Sequence, residues 1–399
     1  MISPRVVLAT WDRIGPDIQR LAFSFFLWEL GFSLYAPLWS VHLRDLGAAP
    51  HQVGLIFSLS YLISTLSAVP GGLLADRFNR KRLMILFWSI GAPSALIFAF
   101  ATRWEMTIPG VVLYFSSFMV LPSINAYVTH LVGDDDPAPA FAMVYVATPA
   151  VQLVGPTVGG LIAEQFGMRA VLLMSFICYI ASTICLLFLS SQPAPRVTPG
   201  VRRRRSLSGN RPFLIFLALA PLLYLYFYMV LPFIGPYLEE IHGLSRGWIG
   251  ALTSLAAAGG VIFTLLVGQA GVRWGRVRML GLAISFFGIG VPLIGISGAG
   301  PVLVAGFLLA GCFYASTMLM FSIVAGMARE RSTGRYFGAY GFTGGFGMIL
   351  APTLGGWLYN WAPQALFFGV GAMGAVLTAL VAGLSRWLEE ERYHDTAIS

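Results

Sequence analysis

Residues 72–82 read Gly-Leu-Leu-Ala-Asp-Arg-Phe-Asn-Arg-Lys-Arg, and residues 268–278, 196 positions later, read Gly-Gln-Ala-Gly-Val-Arg-Trp-Gly-Arg-Val-Arg. Both stretches are basic, and long apolar runs flank each of them. They share their first glycine and three arginines at equal spacing. This similarity suggests that the chain contains two copies of one unit, each with a cationic turn between apolar segments.

The composition of the 399-residue chain fits a membrane protein. Charged residues make up 11% of it and hydrophobic residues 57%, besides 45 glycines, whereas soluble domains carry about 25% charged residues. So few charges cannot cover a water-facing surface, and a disordered chain would need low hydrophobicity. The net charge of +8 lies in short clusters between apolar runs. We therefore expect it to face a membrane surface rather than nucleic acid.

Twelve apolar runs are long enough to cross a bilayer, which takes about 20 residues in a helix. The runs lie near 21–43, 52–75, 82–101, 106–129, 140–163, 170–191, 212–238, 247–269, 278–298, 301–327, 337–359 and 363–385. Glycine and proline mark the turn between the ninth and tenth runs, at 297–301. The sequence thus predicts an all-α membrane protein with twelve transmembrane helices.

The positive charges predict the orientation of these helices. With a cytoplasmic N-terminus, 21 of the 25 Lys and Arg residues fall on the cytoplasmic side and 4 fall outside. Cytoplasmic loops carry an excess of Lys and Arg. We therefore expect a multi-pass protein of the cell membrane with both termini in the cytoplasm.

A polar stretch at 192–211 divides the chain into halves. We predict a six-helix bundle at 1–191, a cytoplasmic linker at 192–211 and a second six-helix bundle at 212–399. The 196-residue shift also pairs Gly47 with Gly243, Gly54 with Gly250, Ser58 with Ser254, Pro156 with Pro352, Thr157 with Thr353, Gly159 with Gly355 and Gly160 with Gly356. A shift that holds across several helices implies a duplicated unit. Internal repeats of this kind are typical of transporters, whose substrate site lies at the repeat interface near mid-membrane.

The first basic stretch resembles the signature loop of the major facilitator superfamily, Gly-x-x-x-Asp-Arg-x-Gly-Arg-Arg/Lys. The matching residues are Gly72, Asp76, Arg77, Arg80 and Lys81. Asn79 stands where the family has glycine, and because Asn tolerates left-handed backbone, we expect the turn to be kept. With the repeat and the twelve runs, the resemblance covers nearly the whole chain. It implies two pseudo-symmetric six-helix bundles that work by alternating access.

The resemblance also suggests how the basic stretches act. It places the first loop beside the start of the eleventh run, where cations oppose the positive end of a helix. Those cations are Arg329, Arg331 and Arg335. Asp76 would offset them, and in the other half Arg273, Arg276 and Arg278 would face Asp134–Asp136. We hypothesise two charge-swapped clamps that close the cytoplasmic side; simple topology signals are the alternative.

The fifth run contains Gly155-Pro156-Thr157-Val158-Gly159-Gly160, which resembles the fifth-helix signature of the superfamily's antiporters, including its drug exporters. Ala351-Pro352-Thr353-Leu354-Gly355-Gly356 repeats it, whereas Val151 replaces the upstream glycine. The resemblance implies export, and close helix packing is the alternative. Drug exporters of the superfamily often carry an arginine in the fourth helix. Here no Lys or Arg occurs between Arg103 and Arg169, which argues against a proton relay built on such an arginine, and no run carries a cation for an anionic substrate.

Glu29 is the one acidic residue placed well inside an apolar run. A charge at mid-membrane costs at least about 2.5–3.5 kcal/mol, so this carboxyl should face a watery cavity, where it can couple protons or anchor a cation. A structural hydrogen-bonded carboxyl is the alternative. The candidate substrate residues around the cavity are Trp28, Ser33, Tyr35, Asn125, Gln152, Tyr224 and Tyr228.

No nucleotide-binding loop, serine-nucleophile elbow or metal-binding helix motif occurs in the sequence. We therefore expect no cofactor, no metal and no enzymatic activity, and a gradient as the energy source. The expected partners are a small-molecule substrate, a proton or other coupling ion and the lipid bilayer, and the expected state is a monomer. The sequence predicts proton-coupled efflux of a neutral or cationic, partly apolar small molecule. A sugar or metabolite permease and a non-transporting receptor or scaffold are the alternatives.

Overall fold

The computed structural model describes residues 15–132, 138–192, 210–328 and 333–398, which form helices and no strand. The long helices among them are α1 (Pro16–Asp45), α2 (Pro50–Ala75), α3 (Arg80–Phe100), α4 (Trp104–Val132), α5 (Pro139–Phe166), α6 (Met168–Leu187), α7 (Arg211–Glu240), α8 (Arg246–Trp274), α9 (Arg276–Ile296), α10 (Gly300–Met327), α11 (Thr333–Trp361) and α12 (Pro363–Ser385), which continues as helix to Ile398.

Eleven helices in the described residues are both long and apolar enough to cross a membrane. The exception is α11, whose 29 residues suffice in length but include eight glycines, which lower its hydropathy. Each predicted run coincides with one long helix. The break between Ile296 and Gly300 confirms the predicted turn between the ninth and tenth runs.

Several helices are interrupted within a few residues of positions that the 196-residue shift relates. In α1 a 3-10 turn spans Ala36–Leu38, and α7 breaks after Tyr228. A proline follows each break within a few residues, and proline removes a helical hydrogen bond. In α4 a 3-10 turn spans Ser117–Met119, and α10 breaks at Gly311. Two helix irregularities therefore recur in both halves, whereas the breaks of α3 at Ala92 and of α5 at Val146 have no equivalent in α9 and α11.

The turns that precede α2 and α8 both contain a glycine in left-handed backbone. Gly47 has a φ of 87° and Gly243 a φ of 65°, a left-handed backbone that favours glycine. The shift of 196 relates these two positions, so the duplicated glycines meet the same backbone requirement.

The helices form two compact units. Unit 1 contains α1, α3–α6, most of α2 and residues 245–250 at the start of α8. Unit 2 contains α7, α9–α12, the rest of α8 and residues 49–58 at the start of α2. Most of the predicted linker at 192–211 lies outside the described residues, and the division into bundles at 1–191 and 212–399 stays a prediction.

Each unit has an aromatic interior and an apolar exterior. In unit 1 the Trp28 and Trp88 rings stack with centroids 4.8 Å apart, and in unit 2 the Tyr237 and Phe367 centroids lie 4.2 Å apart. Large side chains such as Val69, which is 67% exposed, lie on the outside. Apolar exteriors on this scale are unstable in water, which agrees with a surface that faces lipid.

Gly159 lets α5 approach α1 closely. A Cβ atom at this position would collide with the backbone carbonyl of Leu34, whereas a Cβ at Gly72 would meet nothing within 4 Å.

We therefore expect Gly159→Ala to destabilise the protein by about 1–3 kcal/mol, because a backbone carbonyl cannot move aside as a side chain can. The matched control, Gly72→Ala in α2, should leave stability unchanged or slightly higher, since alanine favours helix. Thermal unfolding of the two detergent-purified variants measures this. Equal melting temperatures for G159A and G72A would contradict the close approach.

Candidate functional site

Helices α1 and α5 run side by side in unit 1, and their contacts place Glu29. Before Glu29, the rings of Phe25 and Tyr145 meet edge to face with centroids 5.2 Å apart. After it, the Ser33 hydroxyl donates to the Val151 carbonyl at 3.1 Å. Residue numbers rise together along both helices, so the helices are parallel here. Glu29, between the two contacts, is held against α5.

The half-buried Glu29 side chain meets polar groups on α5. The Thr148 hydroxyl is its side-chain hydrogen-bond partner. Tyr145, one helical turn before Thr148, lies close enough for the carboxylate charge to act on its hydroxyl. That hydroxyl donates to Asn125 Oδ1 of α4 at 2.6 Å. A polar strip of Glu29, Thr148, Tyr145 and Asn125 thus crosses three helices.

Three of the predicted substrate residues lie behind this strip. Trp28 is 4% exposed and lies among the rings of Trp88, Tyr114 and Tyr179. Ser33 is fully buried in the contact with α5, and Tyr35 is 2% exposed. The structure therefore places these side chains in the packing of unit 1, where they support Glu29 and its helix.

The other predicted residues fall in two places. Gln152 is half-buried on α5, four residues after Thr148 and on the same helix face. Tyr224 and Tyr228 lie on α7 in unit 2, with their ring centroids 5.8 Å apart in a stacked arrangement. The ring centroid of Tyr340 on α11 also lies 5.8 Å from that of Tyr224. The strip on unit 1 thus includes Asn125 and Glu29 and borders Gln152, and the two tyrosines belong to an aromatic cluster of unit 2.

Sequence reasoning missed Tyr145 and Thr148. Their signal is the spacing of 145, 148 and 152, which repeats polar residues at three and four positions along one helix face.

The loop between α2 and α3 differs from the expected left-handed turn. Asn79 has φ −62° and ψ 119°, an extended conformation at the N-cap of α3, and its side chain accepts from Arg82 N at 3.1 Å. The turn is kept, as predicted, but Asn79 holds it in extended and not in left-handed backbone. The equivalent Gly275 does have a positive φ of 88°. Asn79 keeps the turn by capping the helix, a role that suits a short polar side chain.

The same loop holds the end of α6. Asn79 Nδ2 donates to Ser191 Oγ at 2.8 Å, and an Arg80 guanidinium N–H donates to Gln192 Oε1 at 3.1 Å. Lys81 Nζ donates to the Leu187 carbonyl at 2.8 Å. Cations stabilise the unpaired carbonyls and the negative dipole at a helix C-terminus. Arg80 and Lys81 therefore stabilise the end of α6 within unit 1, and this role does not require a clamp.

The partners of the predicted clamps lie largely outside the described residues. Arg329, Arg331 and Asp134–Asp136 belong to the segments that the structure does not describe. Asp76 and Arg77 are exposed at the end of α2, and Arg273 is exposed at the end of α8. Arg276 donates to the Ser322 carbonyl of α10 at 2.9 Å. The clamps therefore stay a prediction.

The glycines of the two helix signatures are buried at close backbone contacts in both units. The signature residues Gly155, Pro156, Gly159, Gly160, Pro352, Gly355 and Gly356 are all buried or half-buried. In unit 1 a Cβ at Gly160 would meet the carbonyl of Arg246, and in unit 2 a Cβ at Gly356 would meet the carbonyl of Pro50. The shift of 196 relates both members of these pairs. The signature thus packs each helix against a neighbouring first turn.

Charged groups strengthen this contact in unit 1. Glu164 Oε2 accepts from the Ser245 hydroxyl at 2.8 Å and from Gly247 N at 2.9 Å, so it caps the start of α8. Arg246 pairs with Asp45 at 2.7 Å. A carboxylate at a helix N-terminus is favourable.

The model of the Major Facilitator Superfamily matches residues 21–234 and again residues 222–397. The chain belongs to the major facilitator superfamily. It is therefore a multi-pass membrane transporter and not an enzyme, as the loop motif and the repeat predicted. Among the described residues, no group of three His, Cys, Asp or Glu side chains is arranged to hold a metal ion.

Relatives of this major facilitator protein carry drug-resistance names. The multidrug resistance protein MdtG of Rahnella sp. (strain Y9602) is 24% identical over 394 residues, covering 94% of this chain and 93% of that protein. The multi-drug resistance efflux pump PmrA homolog of Lactococcus lactis subsp. lactis (strain IL1403) is 23% identical and covers 81% of this chain and 83% of that protein.

Solved transporter structures share the fold. The nucleoside transporter NupG superposes with a TM-score of 0.77 at 14% identity and covers 93% of this chain and 99% of that chain. A POT family transporter in complex with a thioalcohol-conjugated peptide gives a TM-score of 0.75 at 13% identity and covers 92% of this chain and 96% of that chain. These structures establish the fold, and substrate choice must come from the site.

The two roles of Asn79 can be separated by substitution. We expect Asn79→Ala to lower the free energy of unfolding by about 1 kcal/mol or more, because it removes both the cap of α3 and the bonds to the end of α6. Asn79→Asp keeps the acceptor for Arg82 N and loses the Nδ2 donor, so it should lie between N79A and the native chain. Thermal unfolding in detergent measures the order. Native stability in N79A would show that the cap is dispensable.

Proposed function

We propose that this transporter exports a neutral or cationic, partly apolar small molecule in exchange for protons, with Glu29 as the proton-carrying group. The observation that carries the proposal is the half-buried Glu29 carboxyl inside α1, with the Thr148 hydroxyl as its partner. The drug-resistance names of the relatives support export.

The chemistry of exchange follows from one carboxyl group with two competing ligands. A proton neutralises Glu29, and a cationic substrate neutralises it equally well by charge pairing. When the substrate binds from the cytoplasm, the carboxyl releases its proton there. When the site opens outside, the higher proton concentration returns a proton to Glu29 and displaces the substrate. A proton gradient directed inward would thereby drive the substrate outward.

Apolar and aromatic groups beside the strip suit the rest of such a substrate. Phe141 stacks on Tyr145 with centroids 6.4 Å apart, and Phe25 meets the same ring. An organic cation gains from burial of its apolar body and from contact with aromatic faces. Asn125 Oδ1 is occupied by Tyr145, so the strip offers fewer free amide groups than a sugar would need.

The proposal also covers the orientation of the chain in the membrane, its oligomeric state and the gating of its cytoplasmic side. The 21-to-4 division of Lys and Arg supports cytoplasmic termini in the cell membrane, and the expected state is a monomer. The cytoplasmic clamps around Asp76 and Arg273 remain part of the proposed alternating-access cycle. The bundles at 1–191 and 212–399 are its proposed moving parts.

Proteoliposomes with an acidic lumen test the exchange. Ethidium, a permanently cationic aromatic dye, should accumulate inside as protons leave, and collapse of the pH gradient should stop the accumulation. We expect Glu29→Gln to lower gradient-driven uptake at least tenfold, because the amide carries neither the proton nor the charge. Glu29→Asp should retain part of it.

Glu105→Gln is the matched control, since it makes the same carboxyl-to-amide change at an exposed ion pair with Arg103. It should transport as the native chain does. Equal gradient-driven uptake by E29Q and the native chain would remove Glu29 from the mechanism.

A further inference from the structure

In the polar strip of Glu29, Thr148, Tyr145 and Asn125, the hydroxyl protons are already used in hydrogen bonds, whereas oxygen lone pairs remain available. The hydroxyl of Tyr145 donates its only proton to Asn125 Oδ1 at 2.6 Å. The hydroxyl of Thr148 is the side-chain partner of the Glu29 carboxylate, which can only accept. Both hydroxyls therefore direct their protons within the strip.

The oxygens of the strip that adjoin Glu29 are left as acceptors for a ligand, and the Gln152 amide, one helical turn after Thr148 on α5, adds N–H donors at the border of the strip. A hydroxyl oxygen that has donated its proton still has lone pairs, and an ionised carboxylate has several. The Tyr145 oxygen, the Thr148 oxygen and the Glu29 carboxylate thus offer acceptors along one edge. Asn125 is exposed on α4, and its Oδ1 is the atom that accepts from Tyr145.

The position of Tyr145 is fixed by more than its hydrogen bond. Its ring meets Phe25 edge to face at 5.2 Å and stacks with Phe141 at 6.4 Å. It is also the last residue of the first helical segment of α5, which ends at Tyr145 and resumes at Ala147. The ring packing fixes the direction of the hydroxyl, which lies within electrostatic reach of Glu29.

We infer that the polar strip selects organic cations that carry an N–H group over quaternary ammonium ions of similar size. This inference rests on the proposed function, because it assumes that the substrate binds at Glu29. A protonated amine can pair with the carboxylate and donate to the Tyr145 and Thr148 oxygens. A quaternary ion satisfies the charge but leaves those acceptors without a donor, and unpaired polar groups weaken binding. Tyr145 and Thr148 are then specificity-determining residues.

The test compares 4-phenylbutylamine with its N,N,N-trimethylammonium analogue by equilibrium binding to the detergent-purified chain. At about pH 7.5 the amine is protonated, so both probes carry one positive charge. We expect the native protein to bind the amine about tenfold more tightly than the analogue, as befits a hydrogen bond from a charged donor. A binding measurement in detergent is used because a neutral amine crosses lipid and accumulates passively in acidic vesicles, which would obscure transport.

Two substitutions assign the preference to the strip. Tyr145→Phe and Thr148→Val should each weaken binding of the amine several-fold and leave the affinity for the trimethyl analogue within about twofold. The matched control is Tyr237→Phe, which removes a tyrosine hydroxyl that donates to the Gly295 carbonyl in unit 2. Y237F should change neither affinity.

The outcomes separate the two proposals. Equal affinities for the two probes, or equal loss of both in Y145F and T148V, would overturn the N–H preference. If the two probes bound equally but E29Q bound neither of them, the N–H preference would fall and the proposed function would stand. Failure of the native protein to bind either cation would overturn the substrate class and the inference together.

Discussion

The arrangement of unit 1 depends on how a single carboxyl group is accommodated inside a membrane-spanning helix. Such a group is costly in lipid and is tolerated where protein groups or water surround it. Here α1 lies parallel to α5, with Phe25 against Tyr145 before Glu29 and Ser33 against Val151 after it. These contacts fix the height and direction of Glu29, and Thr148 then supplies a polar partner. The buried ring of Trp28, stacked on Trp88, fills the space behind.

Glycine makes this approach of α1 and α5 feasible. In the other half, glycine allows the equivalent approach of α7 and α11. Gly159 accommodates the carbonyl of Leu34, and its counterpart Gly355 accommodates the carbonyl of Met229. The same helix signature therefore serves the same packing in each repeat. Because both copies pack alike, the signature by itself says little about the direction of transport, and the proposal of export draws instead on Glu29 and on the names of the relatives. Glu164 caps α8, and the equivalent position in the other half holds the uncharged Asn360.

The sequence predicted the membrane spans well because hydropathy over 20 residues is a strong signal, and α11 shows its limit where glycine is frequent. The loop motif and the repeat predicted the superfamily, which the family match confirmed. Local chemistry was harder to predict. Asn79 was expected to keep the turn through its tolerance of left-handed backbone, but it keeps the turn in an extended conformation, with its side chain capping α3. An aromatic residue in an apolar run does not reveal whether it lines a cavity or fills a core, which is why Tyr35 was expected at the substrate. Tyr145 was overlooked because its partner Asn125 lies on another helix.

The most direct test of the central claim is the proton count on substrate binding. A pH indicator in weakly buffered detergent solution would report protons released when ethidium binds to the purified transporter. We expect the native chain to release up to one proton per bound substrate, and Glu29→Gln to release none. Proton release of the same size from E29Q, or substrate binding by the native chain without any release at every pH between about 5 and 9, would contradict exchange at Glu29.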